Sequence, residues 1–338
     1  ASDNIEYSEI QTKERVNSLY ALGNISYKDM MYVDATLRND WSSTLPDNDN
    51  SFLYPSVSTS ILMNNIFDLG SNVSLLKLRV GWAQAGNDTS AHNLFTILSN
   101  SGDWGTASQL TLPEDLKNDK IKAELNTSTE YGVDLSLFKN RLTMDFTYYE
   151  SDNENQIFQK SLPISSGASS KLFNAGNINS TGFEASLGGT LIEKADFNWN
   201  MNLTYSTNKT IITELAEGTD FVKFWGEAKG GAYTWVGEEV GQIIDRDFVR
   251  VNDPNSPYHG WPLLDDEGWE DSDNTLSDEN GNRAAPVIGN YNPDFKLGLQ
   301  TSIQYKNWNL SMNFDWRKGG QFVSQTHRYY ESDLQTTR

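Results

Sequence analysis

The amino-acid sequence predicts an all-β fold, and more specifically part of a transmembrane antiparallel β-barrel with long outer loops. Residues 197–206 and 296–305 alternate between mainly apolar and polar side chains. Successive side chains of a strand point to opposite faces, so each stretch has one mainly apolar and one polar face. Each stretch is about ten residues long, which suits a tilted strand that crosses a bilayer, whereas strands of soluble sheets are typically about 5–6 residues long.

Four predicted strands lie in the N-terminal part of the chain. The first, at about 15–27, alternates imperfectly, whereas the second is regular over 31–38. The third covers about 54–63 and follows a polar loop. The fourth has the clearest pattern, with one apolar face and one basic or small face: Leu76, Leu78, Val80 and Trp82 against Lys77, Arg79, Gly81 and Ala83.

The other six strands form three predicted hairpins with tight, polar turns. The hairpins pair 131–137 with 142–148, 183–188 with 197–206, and 297–305 with 310–317. The turn of the second hairpin, for example, is the run Glu193-Lys194-Ala195-Asp196. We therefore expect ten spanning strands in this chain.

The connections between the strands fall into two length classes. Those after the first, fifth, seventh and ninth strands are tight, and the one after the third is of intermediate length. The other four are long, at roughly 42–53, 87–125, 151–178 and 207–294. Outer-membrane barrels have short periplasmic turns and long outer loops. The sequence therefore predicts one partial barrel domain over 1–338 in which the four long connections lie outside the cell.

The alternation also predicts which side chains face lipid and which face the lumen. The lipid-facing set is Met31, Val33, Leu78, Val80, Val133, Leu135, Met201, Leu203, Leu299 and Ile303. The lumen-facing set is Asp34, Lys77, Arg79, Asp134, Glu184, Asn200 and Asp315. Aromatic residues near the strand ends predict two girdles at the membrane interfaces: Tyr27, Tyr32, Trp41, Tyr54, Trp82, Phe138, Tyr148, Tyr149, Tyr305, Trp308 and Trp316.

Composition excludes several classes of protein. The 338 residues carry a formal net charge of −20, from 26 basic and 46 acidic residues, which argues against nucleic acid as a partner. The sequence has no cysteine, so neither a disulfide nor a thiolate metal site can form. No apolar run approaches the roughly 18–20 residues of a membrane helix, so helical spanning is excluded.

Catalytic and metal-binding signals are weak, and we do not expect an enzyme. The three histidines, His92, His259 and His327, fall in predicted outer loops, and none has a nearby nucleophile signature. One run without basic residues is strongly acidic and includes Asp265, Asp266, Glu267, Asp271 and Asp273. Such loops can supply oxygen ligands to Ca²⁺, but the spacing does not match the Asp-x-Asp-x-Asn-Gly pattern. A solvated acidic loop is the favoured interpretation, and Ca²⁺ is the one cofactor considered.

Seven aromatic residues in predicted outer loops are candidates for contact with a ligand: Trp104, Trp225, Tyr233, Trp235, Tyr258, Trp261 and Trp269. Exposed rings offer flat apolar faces to the C–H side of a sugar ring, and neighbouring Asp and Asn side chains can bind its hydroxyl groups. The alternative is that these rings pack the loops on one another, because an excursion as long as 207–294 needs a core of its own.

Four segments resemble the SusC/RagA-type family of TonB-dependent transporters. Residues 75–87 resemble the strand LKLRASYGxTGN of that family, and residues 129–142 resemble the hairpin that follows it. Residues 174–184 resemble the segment NxGxIxNxGxE. Residues 287–295 and 305–310 together resemble the signature GNPNPxF and YKNFDL. The four motifs occur in family order across most of the chain.

The resemblance implies an outer-membrane barrel of about 22 strands with an N-terminal plug. It also implies a SusD-like surface lipoprotein as a partner, and TonB as the energy source acting through the plug. Substrates of the family are oligosaccharides or, in some branches, peptides. Ten strands alone would leave two unpaired edges in lipid, so we expect the plug, the TonB box and the remaining strands to lie outside this chain.

Three functions are therefore open at this point. The favoured one is import of an oligosaccharide across the outer membrane. A peptide importer of the same family is the nearest rival. A soluble all-β carbohydrate-binding protein is the rival from another class, and it would bury its apolar strand faces against a second sheet.

Overall fold

The computed structural model shows a chain built almost entirely from β-strands, which confirms the predicted fold class. It describes residues 11–227, 230–245, 247–248, 250–261, 263, 272–273, 280–324 and 326. Within these residues, no helix has the length and apolar character needed to cross a bilayer. The strands are, in chain order, β1 (Val16–Tyr27), β2 (Met31–Ser42), β3 (Ser51–Leu62), β4 (Val73–Asn87), β5 (Ser99–Trp104), β6 (Ala107–Thr111), β7 (Asp115–Leu116), β8 (Glu124–Leu137), β9 (Leu142–Ser161), β10 (Ser170–Lys194), β11 (Phe197–Leu215), β12 (Phe221–Glu227), β13 (Gly230–Trp235), β14 (Gln242–Asp245), β15 (Asp247–Phe248), β16 (Ser272–Asp273), β17 (Val287–Asn290), β18 (Pro293–Tyr305) and β19 (Trp308–Gly319).

The main sheet contains the ten strands that the alternation predicts. Its hydrogen-bonded order is β1-β2-β3-β4-β8-β9-β10-β11-β18-β19, and the two-residue β7 pairs in parallel with β10 beside this path. The ten long strands therefore stand in the sheet in the same order in which they occur along the chain. The shorter strands form separate sheets of two or four strands within the long connections.

Three strands of the main sheet extend furthest into the predicted outer loops. β9, β10 and β11 contain 20, 25 and 19 residues, so they extend into the regions 151–178 and 207–294 that the sequence predicts as outer loops. The extensions are rich in Asn, Ser, Thr and Glu and lack the apolar alternation. Backbone hydrogen bonding can continue a hairpin without an apolar face, so a prediction from hydrophobic period ends too early here.

The chain divides into two compact units: the described residues of 1–67, 77–131 and 150–178, and those of 68–76, 132–149 and 179–338. In the first unit, β1 and β2 are joined by residues 28–30, of which Lys28 and Asp29 have positive φ, 48° and 51°. Positive φ at both central residues of the turn matches the twist of the strands that it connects. The polar face is then linked across strands, for example by Asn24 Nδ2, which donates to Asp34 Oδ1 at 2.5 Å.

In the second unit, β11, β18 and β19 keep one register over their whole spanning length. Leu203 pairs with Leu299, which pairs with Phe314 on its other side. The next position along each strand forms a polar set, in which Asn202 pairs with Gln300 and Gln300 pairs with Asn313. Because paired residues share a face, all three strands present one apolar and one polar face.

The apolar face of the second unit carries a row of five aromatic rings, which we call the aromatic row. It runs across β9, β10, β11, β18 and β19 through Phe146, Phe183, Tyr205, Phe295 and Trp316, with successive centroids 6.4, 6.3, 5.5 and 5.4 Å apart. Trp316 of this row was predicted as part of a girdle. By contrast, Tyr32, Tyr54 and Tyr149, also predicted for the girdles, occupy the polar register, because each belongs to the same alternating set as polar neighbours such as Asp34, Ser56 and Thr147.

Among the described residues, the buried apolar side chains lie away from the middle of the main sheet. They are Leu45, Ile121, Ala168, Ile212, Ala232, Tyr233, Trp235, Ile243, Ile244 and Ala285. Apolar side chains in the middle of the long strands and near their tight turns are exposed instead, for example Ile25, Val80 and Leu310. Strand faces buried against a second sheet, which the soluble rival predicts, are therefore not found in the described part of the chain.

Candidate functional site

The polar face of β9, β10, β11, β18 and β19, called the polar wall below, carries almost only amides and hydroxyl groups in its central rows. The pairing of β11, β18 and β19 forms one row from Asn200, Ser302 and Ser311. Thr190 Oγ1 donates to Asn200 Oδ1 at 2.8 Å, which extends this row to β10. A cavity of about 520 Å³ lies against the wall, lined by Asn140, Thr143, Gly188, Gly189, Thr190, Asn200, Met201, Asn202, Gln300, Thr301, Ser302, Ser311 and Asn313.

Charged residues enter the polar wall toward one end of the strands, beginning with Asp315 in the row of Thr204 and Gly298. The hydroxyl groups of Ser180 and Thr210 are 3.0 Å apart and agree with the Thr190–Asn200 bond on one register, which places Glu184 opposite Ser206. Ser206 in turn pairs with Lys296. A second pocket of about 290 Å³ lies here, lined by Tyr149, Glu184, Ser206, Thr207, Asn208, Thr210, Asn292, Pro293 and Lys296.

The segment between β17 and β18 closes one end of this pocket. Asn292 donates from Nδ2 to the carbonyl of Val240 at 2.5 Å, and its backbone N–H donates to Asn290 Oδ1 at 2.8 Å. The neighbouring Tyr291 is half-buried, and this burial raises the pKa of its phenol above the ordinary value. The pocket is thus built on a hydrogen-bonded segment, which favours a fixed shape.

The first unit holds a different cluster on its polar face. Asp40 is only 6 % exposed, accepts a hydrogen bond from Arg38 Nε at 2.8 Å and accepts another from the Tyr54 hydroxyl. Phe52 stacks on Tyr54 with centroids 5.8 Å apart, and the Arg38 guanidinium lies 5.9 Å from the Tyr54 ring centre. The sequence assigned Tyr54 to a girdle and missed this cluster, because pairing across β2 and β3 assembles it.

The longest connection contains a small folded sheet of its own. β12, β13, β14 and β17 form it, and Phe221, Tyr233, Trp235, Ile244 and Ala285 form its core. Arg283 Nε donates to both carboxylate oxygens of Glu238 at 2.7 and 3.0 Å, and Arg283 Nη1 donates to the carbonyl of Ala285 at 2.8 Å. The alternative considered from the sequence, a core within 207–294, is therefore realised in part of that region.

This core changes the set of aromatic residues that can meet a ligand. Tyr233 and Trp235 are 7 % and 2 % exposed, so their rings pack the four-stranded sheet and are not available to a ligand in this structure. Trp225, in β12, is partly exposed, and Trp104, at the end of β5, is 78 % exposed. Trp269 lies outside the described residues.

Tyr258 and Trp261 form an exposed pair on a compact turn. Their ring centroids are 5.6 Å apart at an angle of 73°, and the side chains are 58 % and 63 % exposed. The turn is held by backbone bonds from Val251 N to Trp261 O and from Gly260 N to Val251 O, both 3.0 Å. Arg250 Nη1 adds a bond to the carbonyl of Gly260 at 2.9 Å. Two rings of different orientation are thus presented on one fixed support.

Most of the acidic stretch lies beyond what the structure describes. Asp265, Asp266, Glu267 and Asp271 are outside the described residues, and Asp273 belongs to β16, where its backbone pairs with Asp247. In the described part of the chain, no group of His, Asp or Glu is arranged to hold a metal ion. Ca²⁺ binding by this stretch stays a prediction.

Two of the three histidines, His92 and His259, lie in the described part of the chain, each in a different connection. His92 lies in the connection after β4 at a positive φ of 67°. His259 is part of the turn with Tyr258, where its backbone N–H donates to Ser256 O at 3.1 Å. His327 lies outside the described residues.

Comparisons with known proteins agree with this architecture. TonB-dependent receptor P3 of Formosa agariphila is 25% identical over 327 residues, which are 91% of this chain and 32% of that protein. TonB-dependent receptor P26 of the same organism is 25% identical over 334 residues, which are 94% of this chain and 32% of that protein. The chain thus spans about a third of the length of these relatives.

A solved structure has the same fold. The RagAB peptide transporter superposes with a TM-score of 0.74 at 21% identity, over 90% of this chain and 34% of that chain. The family described as TonB dependent receptor-like, beta-barrel matches residues 2–337. The match covers nearly the whole sequence, and the antiparallel sheet of ten long strands agrees with a β-barrel family. The chain therefore belongs to the β-barrel family of the TonB-dependent receptors.

Proposed function

We propose that this chain is part of a transporter that imports an oligosaccharide across the bacterial outer membrane. In this proposal the transporter works with a SusD-like surface lipoprotein, and TonB supplies the energy through a plug region outside this chain. Membership in the TonB-dependent receptor family supports the outer-membrane location and the role of TonB.

The two faces of the main sheet support a lipid side and a lumen side. The apolar face carries the aromatic row, as expected for a girdle at a membrane interface. The opposite face is the polar wall, and in a barrel it lines the lumen, through which a substrate has to pass. Every second residue of β11 and β18 therefore faces this path.

The observation that carries the choice of substrate is the lack of charge in the central rows of the polar wall. Asn200, Asn202, Gln300, Ser302, Ser311 and Asn313 all line the cavity of about 520 Å³. Amide and hydroxyl groups are both donors and acceptors, which matches the hydroxyl groups of a saccharide. They offer no charge to the termini of a peptide. The exposed pair Tyr258 and Trp261 adds apolar ring faces for a sugar outside the lumen.

A peptide substrate is the second candidate. The solved RagAB complex is described as a peptide transporter, but at 21% identity the likeness supports the fold and not the substrate. We therefore treat peptide uptake as an outcome of the test.

The experiment measures uptake of labelled oligosaccharides and labelled peptides by cells that carry the full-length transporter and its lipoprotein. The test variant is the double change Asn202→Leu with Gln300→Leu, because these residues are paired neighbours on the polar wall. The matched control is Leu203→Met with Leu299→Met, the neighbouring pair on the apolar face, where a volume-conserving change is tolerated.

We expect oligosaccharide uptake that requires TonB and that falls about tenfold in the polar-wall variant, since each lost hydrogen bond is worth about 0.5–1.5 kcal/mol. The apolar-face control should keep its uptake. Uptake of peptides without any uptake of oligosaccharides would replace the proposed substrate class. Uptake that persists without TonB would contradict the transport mechanism.

A further inference from the structure

Two basic residues stand directly opposite each other on the polar wall. Lys296 of β18 and Arg317 of β19 are Cα partners in the antiparallel pairing. Directly opposite side chains in such a pair have Cβ atoms about 4.5–5.5 Å apart, and like charges at this separation are destabilising. The arrangement therefore has a cost that an anion placed between the two groups would remove.

Neither Lys296 nor Arg317 forms an ion pair with an acidic side chain of the described residues. Three acidic residues lie in the neighbourhood. Glu184 lies on the same face two strands away from Lys296, Asp294 lies two positions before Lys296, and Asp315 lies two positions before Arg317. None of the three makes an ion pair with either cation, so within the described part of the chain the two cations stand opposite each other without a direct acidic partner.

The backbone holds Arg317 in place. Arg317 Nη2 donates to the carbonyl of Tyr291 at 2.7 Å, which fixes one edge of the guanidinium. A Cβ at Gly320 would lie only 2.8 Å from Nη2 and 3.0 Å from Nε, so the absence of a side chain there leaves room for the guanidinium. Gly320 also has a positive φ of 78°, which glycine adopts readily. A planar donor fixed in this way is suited to a carboxylate or sulfate.

Lys296 faces a space that can receive a ligand. It lines the pocket of about 290 Å³ together with Ser206, Asn208 and Asn292. A hydroxyl group and two amides therefore stand beside the ammonium group. The ammonium group can bind an anionic substituent, and the hydroxyl group and amides can bind the hydroxyl groups next to that substituent.

We propose that Lys296 and Arg317 form a subsite for an anionic substituent, a carboxylate or a sulfate ester, on the imported saccharide. The inference rests on the proposed function and deepens it, because it changes the substrate from any oligosaccharide to an acidic one. In this proposal the uncharged central rows of the polar wall bind the hydroxyl groups of the saccharide. Lys296 and Arg317 then select a saccharide that carries an acidic group.

The test uses the purified full-length transporter in detergent and four probes. Calorimetry measures binding of tetragalacturonate, of galactotetraose as its neutral counterpart, and of a sulfated tetrasaccharide. The fourth probe is inorganic sulfate, read as the rise of the thermal unfolding midpoint over chloride at equal ionic strength. The variants are Lys296→Gln and Arg317→Gln, tested separately, and the matched control is Lys306→Gln in the short turn between β18 and β19.

We expect at least one acidic probe to bind about tenfold more tightly than galactotetraose, with a charged hydrogen bond worth about 1.5–3 kcal/mol. Each test variant should abolish this preference, whereas Lys306→Gln should keep both the preference and the affinity for galactotetraose. Comparing the two acidic probes tells whether carboxylate or sulfate is preferred. Equal binding of acidic and neutral probes would overturn the subsite and leave oligosaccharide import standing.

If no tetrasaccharide binds, the proposed substrate class fails and inorganic sulfate decides on the subsite. A midpoint rise that is smaller in both test variants than in the wild type and the control supports an anion site. A rise of equal size in all four proteins overturns it.

Discussion

The side chain of Tyr149 on β9 lies directly against Gly182 on β10. A Cβ at position 182 would be 2.6 Å from Tyr149 Cε1 and closer still to Cζ and the phenol oxygen. Tyr149 reaches this position because it belongs to the polar register, beside Glu184 and the charged level of the wall. Gly182 thus lets a large ring lie flat on the wall, where it forms one side of the 290 Å³ pocket.

Replacement of this glycine should be costly. We expect Gly182→Ala to lower the free energy of unfolding by about 1–3 kcal/mol, because the methyl group must displace the Tyr149 ring. Urea unfolding of the transporter in lipid vesicles measures the effect. Gly81→Ala is the matched control, since a Cβ there would have no atom within 4 Å. Adding Tyr149→Ala to Gly182→Ala should restore part of the loss. A loss that the second change does not relieve would argue against the ring contact as its cause.

The lipid and lumen registers make a second prediction. Leu203→Arg should lower the free energy of unfolding in vesicles by about 2–4 kcal/mol, because it places a charge in the hydrocarbon region. Asn202→Arg, one residue earlier on the polar wall, should cost far less, because this side chain lines an open cavity. Equal costs for the two variants would contradict the assignment of the faces.

The aromatic row should behave as a coupled unit. Phe183 contacts both Phe146 and Tyr205, so Phe183→Leu removes two ring pairs while it keeps an apolar side chain. At about 0.5–1.5 kcal/mol for each pair, we expect a loss of about 1–3 kcal/mol. A double-mutant cycle with Tyr205→Leu should show a coupling energy above about 0.5 kcal/mol. Additive effects of the two changes would mean that the rings act independently.

The outer-loop aromatics divide into a structural and an exposed class, and paired variants can separate the two. Trp235→Ala should destabilise the sheet of β12, β13, β14 and β17 by about 3–5 kcal/mol, because it empties the core of that sheet. Trp261→Ala should change stability by no more than about 0.5 kcal/mol, as is usual for an exposed position. Limited proteolysis within residues 221–290 measures the difference. Similar cleavage rates for both variants would contradict the division.

The spanning strands could be predicted in detail because the relevant physics is local. A strand that crosses a bilayer must alternate apolar and polar side chains, and this period is visible in one sequence, as in Leu297, Leu299 and Ile303. The tight turns between paired strands are visible in the sequence for the same reason, as at residues 306–307. The prediction stopped short at β9, β10 and β11, where hydrogen bonding extends the strands without an apolar pattern.

The candidate sites depend on pairing between distant residues, which no local pattern contains. Trp235 and Trp261 look alike in the sequence, yet one is in the core of a sheet and the other is exposed. Lys296 and Arg317 become neighbours only through the register of β18 and β19. The sequence by itself determined the fold class, the ten long strands of the main sheet and the two faces, since these follow from a period of two. Only the tertiary structure decided which side chains are buried and which charges meet, because burial and charge contacts are set by the register between strands far apart in the chain.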